Sequence, residues 1–213
     1  MIIEYISKYY DHIFSLFLDH LTIMVISLGI ALAIALPVGF FLTKIKWLSV
    51  PVLSILGIIY AIPSMALFAL LIPFVGLGMK PAIIALVAYN QIILVRNVMV
   101  GFQSVNPSIV EAGKGMGLNS IQLFWKIQLP LALPVIIAGI RIATISTIGI
   151  ATIAAWINAG GLGVLLFEGL YQNASHKIII GTVLVAALAL AMNYLLLKIE
   201  NRAALKARGE LLP

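Results

Sequence analysis

Residues 111–130, EAGKGMGLNSIQLFWKIQLP, gather Glu111, Lys114 and Lys126 with Asn119, Ser120, Gln122 and Gln128 in a chain that is only 9% charged. The chemistry open to such a set is phosphate binding or docking. Gly113-Lys114-Gly115 has part of a phosphate loop, but that loop needs Ser or Thr after the lysine and a strand before it, and Gly115 fails the test. The chain therefore does not burn nucleotide itself. No carboxylate lies within a predicted span, which argues against an ion-coupled carrier and an intramembrane aspartyl protease. Nor does a histidine lie in a predicted span to activate a serine. His12, His20 and His176 are scattered and cysteine is absent, so a metal site is not expected and catalytic residues are none.

Docking needs an element that holds these side chains in water, because each charge at the hydrocarbon centre costs about 2.5 to 3.5 kcal/mol. The local signals predict helix, turn, helix. Asn106 and Pro107 supply a cap and a first-turn proline, Glu111 sits near the positive end of the dipole, and Gly117 is a stop. Asn119 can cap a second segment in which Ile121, Phe124, Trp125 and Gln128 run at helical spacing, ended by Pro130. The product is a short exposed helix with apolar Ile109, Val110 and Met116 beside its charges.

The elements around it are spans. With 213 residues, 63% hydrophobic and a mean hydropathy of +1.17, the chain reads as an all-α integral membrane protein. Its net charge of +6 is spread over separate inter-helix segments without interleaved aromatics, which does not suit nucleic acid. Glu4 and Asp11 stand where a cleavable signal would be positive, so none is expected. Residues 1–20 read as an amphipathic interfacial helix that does not span. Residues 21–198 form the membrane domain, with the docking segment at 106–130, and residues 199–213 a polar basic tail.

Five spans are predicted: 21–42, with Pro37 bending its last part; 51–73, broken at Pro63; 81–95, carrying Tyr89, Asn90 and Gln91 and reaching Arg96; 131–157; and 178–197. Pro63 should free the carbonyl near Ile59 and kink its span. That kink either lines a transport path or serves packing. In the fourth span Gly139, Ala143, Thr147, Ala151 and Ala155 make a small-residue ladder for close helix approach. Nine lysines and arginines fall in segments 44–49, 96–130 and 198–213, against three in the others. This bias puts the N-terminus outside and the C-terminus in the cytoplasm.

Glu111, Ala112 and Gly117, then nine residues, then Ile127, Leu129 and Pro130 resemble the EAA motif of permease subunits of binding-protein-dependent ABC importers; Gly113 replaces the usual second alanine, which slightly lowers helicity. The resemblance implies a type I ABC importer fold and a cytoplasmic coupling helix seated in a groove of an ATPase. It makes Glu111, Ala112, Gly113, Lys114, Gly117, Ile127, Leu129 and Pro130 the coupling residues, with Glu111 meeting a basic residue. Residues 129–170, Tyr60 to Ser64, Gly76-Leu77-Gly78 and Arg96-Asn97 look like the osmoprotectant (Opu) branch, importers of glycine betaine, carnitine and choline into bacteria across the plasma membrane.

That branch implies a second permease, identical or homologous, and two ABC ATPase subunits that carry the ATP and magnesium. It also implies an external substrate-binding protein, separate because the sequence ends at Pro213. No cofactor is expected in this chain, which is a non-catalytic subunit. Tyr60, Pro63, Tyr89, Asn90, Arg141 and Trp156 are the pathway candidates, the aromatics offering cation–π attraction to a passing quaternary ammonium. For Trp156 an interfacial belt competes with a gate, and Arg141 either faces the cavity or binds lipid phosphate or a neighbour. A permease for another small zwitterion shares much of this pattern. A self-contained secondary transporter would need an ionisable relay, an inverted repeat or a filter, and none is visible.

Overall fold

The computed structural model describes residues 2–210. The chain folds into α1 (Ile2–Lys8), α2 (Tyr10–Lys44), α3 (Lys46–Ala61), α4 (Ser64–Val75), α5 (Met79–Gln103), α6 (Pro107–Gly115), α7 (Ser120–Leu123), α8 (Leu129–Ile153), α9 (Gly163–Tyr171) and α10 (Ser175–Ala207). A π-helical turn, Phe124–Gln128, joins α7 to α8, and a 3-10 turn, Ala154–Ile157, closes α8. Four helical stretches are long and apolar enough to cross a membrane, and the bent pair α3 and α4 makes a fifth. The expected all-α architecture is the one observed, with five spans where the bent pair counts as one.

α5 is the axis of the bundle. Its polar trio, expected to face protein or water, is buried, and each member binds a different neighbour. The Tyr89 hydroxyl donates to the Ile62 carbonyl at the α3–α4 break, 2.7 Å away. The Asn90 amide donates to Thr147 Oγ1 on α8 at 2.8 Å, and that hydroxyl donates onward to the Ala143 carbonyl at 2.7 Å. Gln91 reaches the Ala31 carbonyl on α2 at 3.3 Å. Consecutive helical residues are turned by about 100°, so three in a row address three sides of α5. In a bilayer these bonds replace water that the interior cannot supply.

Close packing does the rest. Gly139, Ala143, Thr147 and Ala151 of the small-residue ladder are buried, and a Cβ on Gly139 would stand 2.4 Å from that of Asn97 on α5. Only a residue without a side chain lets α8 approach there. Across the bundle, Gly163 lies so close to Thr152 that an added Cβ would sit 1.9 Å from its carbonyl oxygen.

Three expectations about element boundaries give way. No helix end falls at residue 20: α2 runs unbroken through it with Ile13, Leu16 and His20 buried, because no glycine or proline interrupts residues 10–28. Pro130 does not stop a helix but lies in the first turn of α8, where its missing N–H costs least. α10 continues to Ala207, taking in most of what was expected to be a tail; Met1 and residues 211–213 of that tail lie outside the described residues.

The third and fifth spans are also longer than predicted, running as Met79–Gln103 and Ser175–Ala207. At Pro63 the change of direction is 94°, a break rather than a kink. The Ile59 carbonyl is not orphaned, since the Ile62 N–H donates to it at 3.2 Å. The Ile62 carbonyl, at the break itself, accepts from the Tyr89 hydroxyl.

Candidate coupling surface and pathway

The docking segment is built by its caps. Asn106 Oδ1 accepts from the Ser108 N–H at 2.9 Å, with Pro107 at the first helical position of α6. At the other end Gly117 takes a φ of +80°, while the Leu118 N–H donates to the Gly113 carbonyl at 3.1 Å and the Gly117 N–H to that of Lys114 at 2.9 Å. This closes α6 with a left-handed glycine. A capping box opens α7: the Gln122 N–H donates to Asn119 Oδ1 at 2.9 Å and the Asn119 N–H to Gln122 Oε1 at 3.0 Å.

Gly113 is the one buried residue of α6. A Cβ there would lie 2.5 Å from Ile127 Cδ1 and 2.7 Å from Leu123 Cδ2. The glycine read as a small loss of helicity is therefore also where α6 rests on the next segment. The candidate set divides accordingly. Glu111, Ala112, Lys114 and Gly117 are exposed, whereas Ile127, Leu129 and Pro130 are half-buried, with Ile127 lying against Gly113 of α6. Exposed Met116 (73%) and Ile121 (72%) extend the outward face; apolar residues amid caps and charges were the signal for them.

The pathway candidates do not form one group. Tyr60 and Tyr89 meet edge to face, ring centroids 5.9 Å apart, beside Pro63; Tyr60 and Pro63 are exposed and Tyr89 is buried. Asn90 is engaged with Thr147 in the interior. Trp156 is exposed on the 3-10 turn, next to the place where the Gly78 N–H donates to the Ile157 carbonyl at 2.8 Å. The Gly76-Leu77-Gly78 turn is thereby tied to the end of α8.

Arg141 turns to α10. Its Nε lies 2.8 Å from Glu200 Oε2 and its Nη1 3.2 Å from Asn193 Oδ1. The neighbour it pairs with had been assigned to the tail. Sequence reasoning also missed His20, which is fully buried beneath the 158–163 turn: a Cβ on Gly161 would lie 3.0 Å from its Nδ1, and one on Gly160 2.9 Å from Asp19 Oδ2. Both glycines have positive φ. Among the described residues no cluster of His, Asp or Glu is placed to hold a metal ion.

Residues 14–204 match the family model described as binding-protein-dependent transport system inner membrane component. The chain is 36% identical over 203 residues to the osmoprotectant import permease protein OsmW of Salmonella typhimurium, covering 93% of this chain and 94% of that one. It is 40% identical over 184 residues to the choline transport system permease protein OpuBB of Bacillus subtilis, covering 86% and 85%. Among solved structures, an inward-facing MetNI methionine ABC transporter superposes with a TM-score of 0.81 at 23% identity, covering 90% of this chain and 95% of that one. The likeness to that structure establishes the fold, that of an ABC importer permease. By the family match over most of its length, the chain belongs to the binding-protein-dependent transport system inner membrane components, the multi-pass, non-catalytic permease subunits of ABC importers.

Proposed function

We propose that this permease carries a quaternary-amine osmoprotectant, glycine betaine, carnitine or choline, handed over by an external binding protein. In this reading the permease pairs with an identical or homologous permease and two ATPase subunits. ATP and magnesium act on those partners and none of the chemistry is in this chain. The N-terminus lies outside and the C-terminus in the cytoplasm, in accord with the lysine and arginine bias.

The observation that carries the reading is α6: an exposed helix capped at both ends and seated on Ile127 and Leu123 through Gly113. A bare loop would transmit little displacement, whereas a capped helix resting on packed side chains moves as a unit. Glu111 and Ala112 face the ATPase, and Ile127, Leu129 and Pro130 pass the displacement to α8. From α8 it reaches α5 through Thr147 and Asn90, and the α3–α4 break through Tyr89 and Ile62. The exposed Tyr60 ring beside that break offers a cation a face worth about 0.5 to 2 kcal/mol, suited to passage rather than storage.

The test is uptake by the reconstituted complex with its binding protein. Labelled betaine, carnitine or choline should accumulate only with ATP, and Glu111→Lys should leave hydrolysis running while uptake stops. Coupled uptake by that variant, or transport of none of the three, would overturn the proposal.

A further inference from the structure

Where α2 ends beside α6, two lysines line one cavity with no carboxylate between them. We infer that this cavity and the apolar groove adjoining it form a binding site for one anionic phospholipid, its phosphate held by Lys44 and Lys114 and an acyl chain laid along the groove. The inference goes beyond the transport reading and does not depend on the substrate or on which side of the membrane α6 lies.

The cavity, about 410 Å³, brings together Lys44 from the last turn of α2, Lys114 from α6, and the polar side chains of Ser120 and Gln128, with Phe40 and Phe124 among its walls. Lys44 Nζ lies 5.3 Å from the centre of the Phe40 ring. The ion pairs among the described residues are Arg141 with Glu200 and Lys177 with Glu168, so neither cavity lysine has an acidic partner. Two like charges lining one recess repel, and a bound anion between them removes that cost. Hydroxyl and amide groups at the same recess can complete the hydrogen bonding of phosphate oxygens.

What makes the anion a lipid is the second recess. A groove of about 320 Å³ shares the same two rings: Phe40 and Phe124 line both recesses, and the groove adds Pro37, Phe41, Phe102 and Trp125. The Phe40 ring stands 5.0 Å from each of Phe102 and Phe124, while Phe41 and Trp125 are more than half exposed. A free phosphate would use the first recess and leave the second unfilled. A phospholipid has its anionic and hydrocarbon halves in the order in which the surface presents a basic recess and an apolar one, at the membrane edge where basic residues and aromatics meet headgroups. The site joins α2, α6 and the π-helical turn that carries Phe124 and Gln128, so a lipid bound there bridges the first span to the docking helix.

The test uses the permease with its ATPase in phosphatidylcholine nanodiscs doped with phosphatidylglycerol that bears a diazirine on its acyl chain. Illumination should label peptides holding Pro37 to Phe41, Phe102 and Trp125. Unlabelled phosphatidylglycerol should compete, whereas added phosphatidylcholine or inorganic phosphate should not. Lys44→Gln, at an exposed position, should cut labelling about fivefold, the contribution of one basic residue at an anionic surface. Lys46→Gln, outside the cavity, should leave it unchanged. Equal labelling by a phosphatidylcholine probe, displacement by inorganic phosphate, or absence of labelling in this ATPase-bound complex would each overturn the inference, the last by giving the recess to the ATPase.

Discussion

The hydroxyl of Tyr89, in the middle of α5, donates to the carbonyl of Ile62 across 2.7 Å. Ile62 is the residue at which the second span gives up its helix, and Pro63 after it has no N–H to offer the carbonyls of α3. A side chain 27 residues away thus completes the break that the proline opens.

Tyr89→Phe should therefore leave the half-buried Ile62 carbonyl without its side-chain partner, at a cost of about 1 kcal/mol. Thermal unfolding in detergent should shift down, and uptake should fall while the ATPase still co-purifies. An unchanged melting temperature would show that water takes over the bond.

At Gly113 the substituent decides the outcome. The atoms an added Cβ meets are the terminal methyls of Ile127 and Leu123, which can rotate away, and alanine gains about 0.5 to 1 kcal/mol of helix propensity. Gly113→Ala should keep coupled transport. Gly113→Phe has no room and should lift α6, lowering substrate-stimulated ATP hydrolysis by about tenfold, equivalent to about 1.4 kcal/mol. Hydrolysis assays on the reconstituted complex distinguish the two.

The pairing of Arg141 with Glu200 is three-quarters or more shielded on both sides. Removing either partner strands the other, so Arg141→Ala and Glu200→Ala should each destabilise by about 3 kcal/mol. The double variant should cost less than their sum by about 0.5 to 3 kcal/mol. Denaturation midpoints of the four proteins close the cycle.

Gly163→Ala would drive a Cβ to 1.9 Å from the Thr152 carbonyl oxygen, and backbone has no rotamer to escape into. Gly149 faces open space. The first substitution should abolish recovery of monodisperse protein and the second should not, as size-exclusion chromatography would show.

What could be read from the residues was local. Asn106, Pro107, Gly117 and Asn119 act within a few positions of themselves, and each does what its type and place suggested. Long uncharged runs located the spans for the same reason. What escaped was set by distant contacts. The angle at Pro63 depends on where α5 presents Tyr89; the partner of Arg141 depends on α10 continuing past its apolar run to Glu200. Residues 10–20 looked amphipathic alone, yet their apolar side, Ile13 and Leu16, is covered by the bundle core. Gly113 looked like a loss until Ile127 was seen against it.

Tyr89, Asn90 and Gln91 have one further implication. Because their three bonds leave the same turn of one helix toward three different walls, rotating α5 cannot strain a single bond in isolation. A twist that loosens the grip on α8 tugs at the Ile62 hinge and at α2 in the same instant. The protein is keyed like a shaft in three slots, and its interior should switch in one step or not at all.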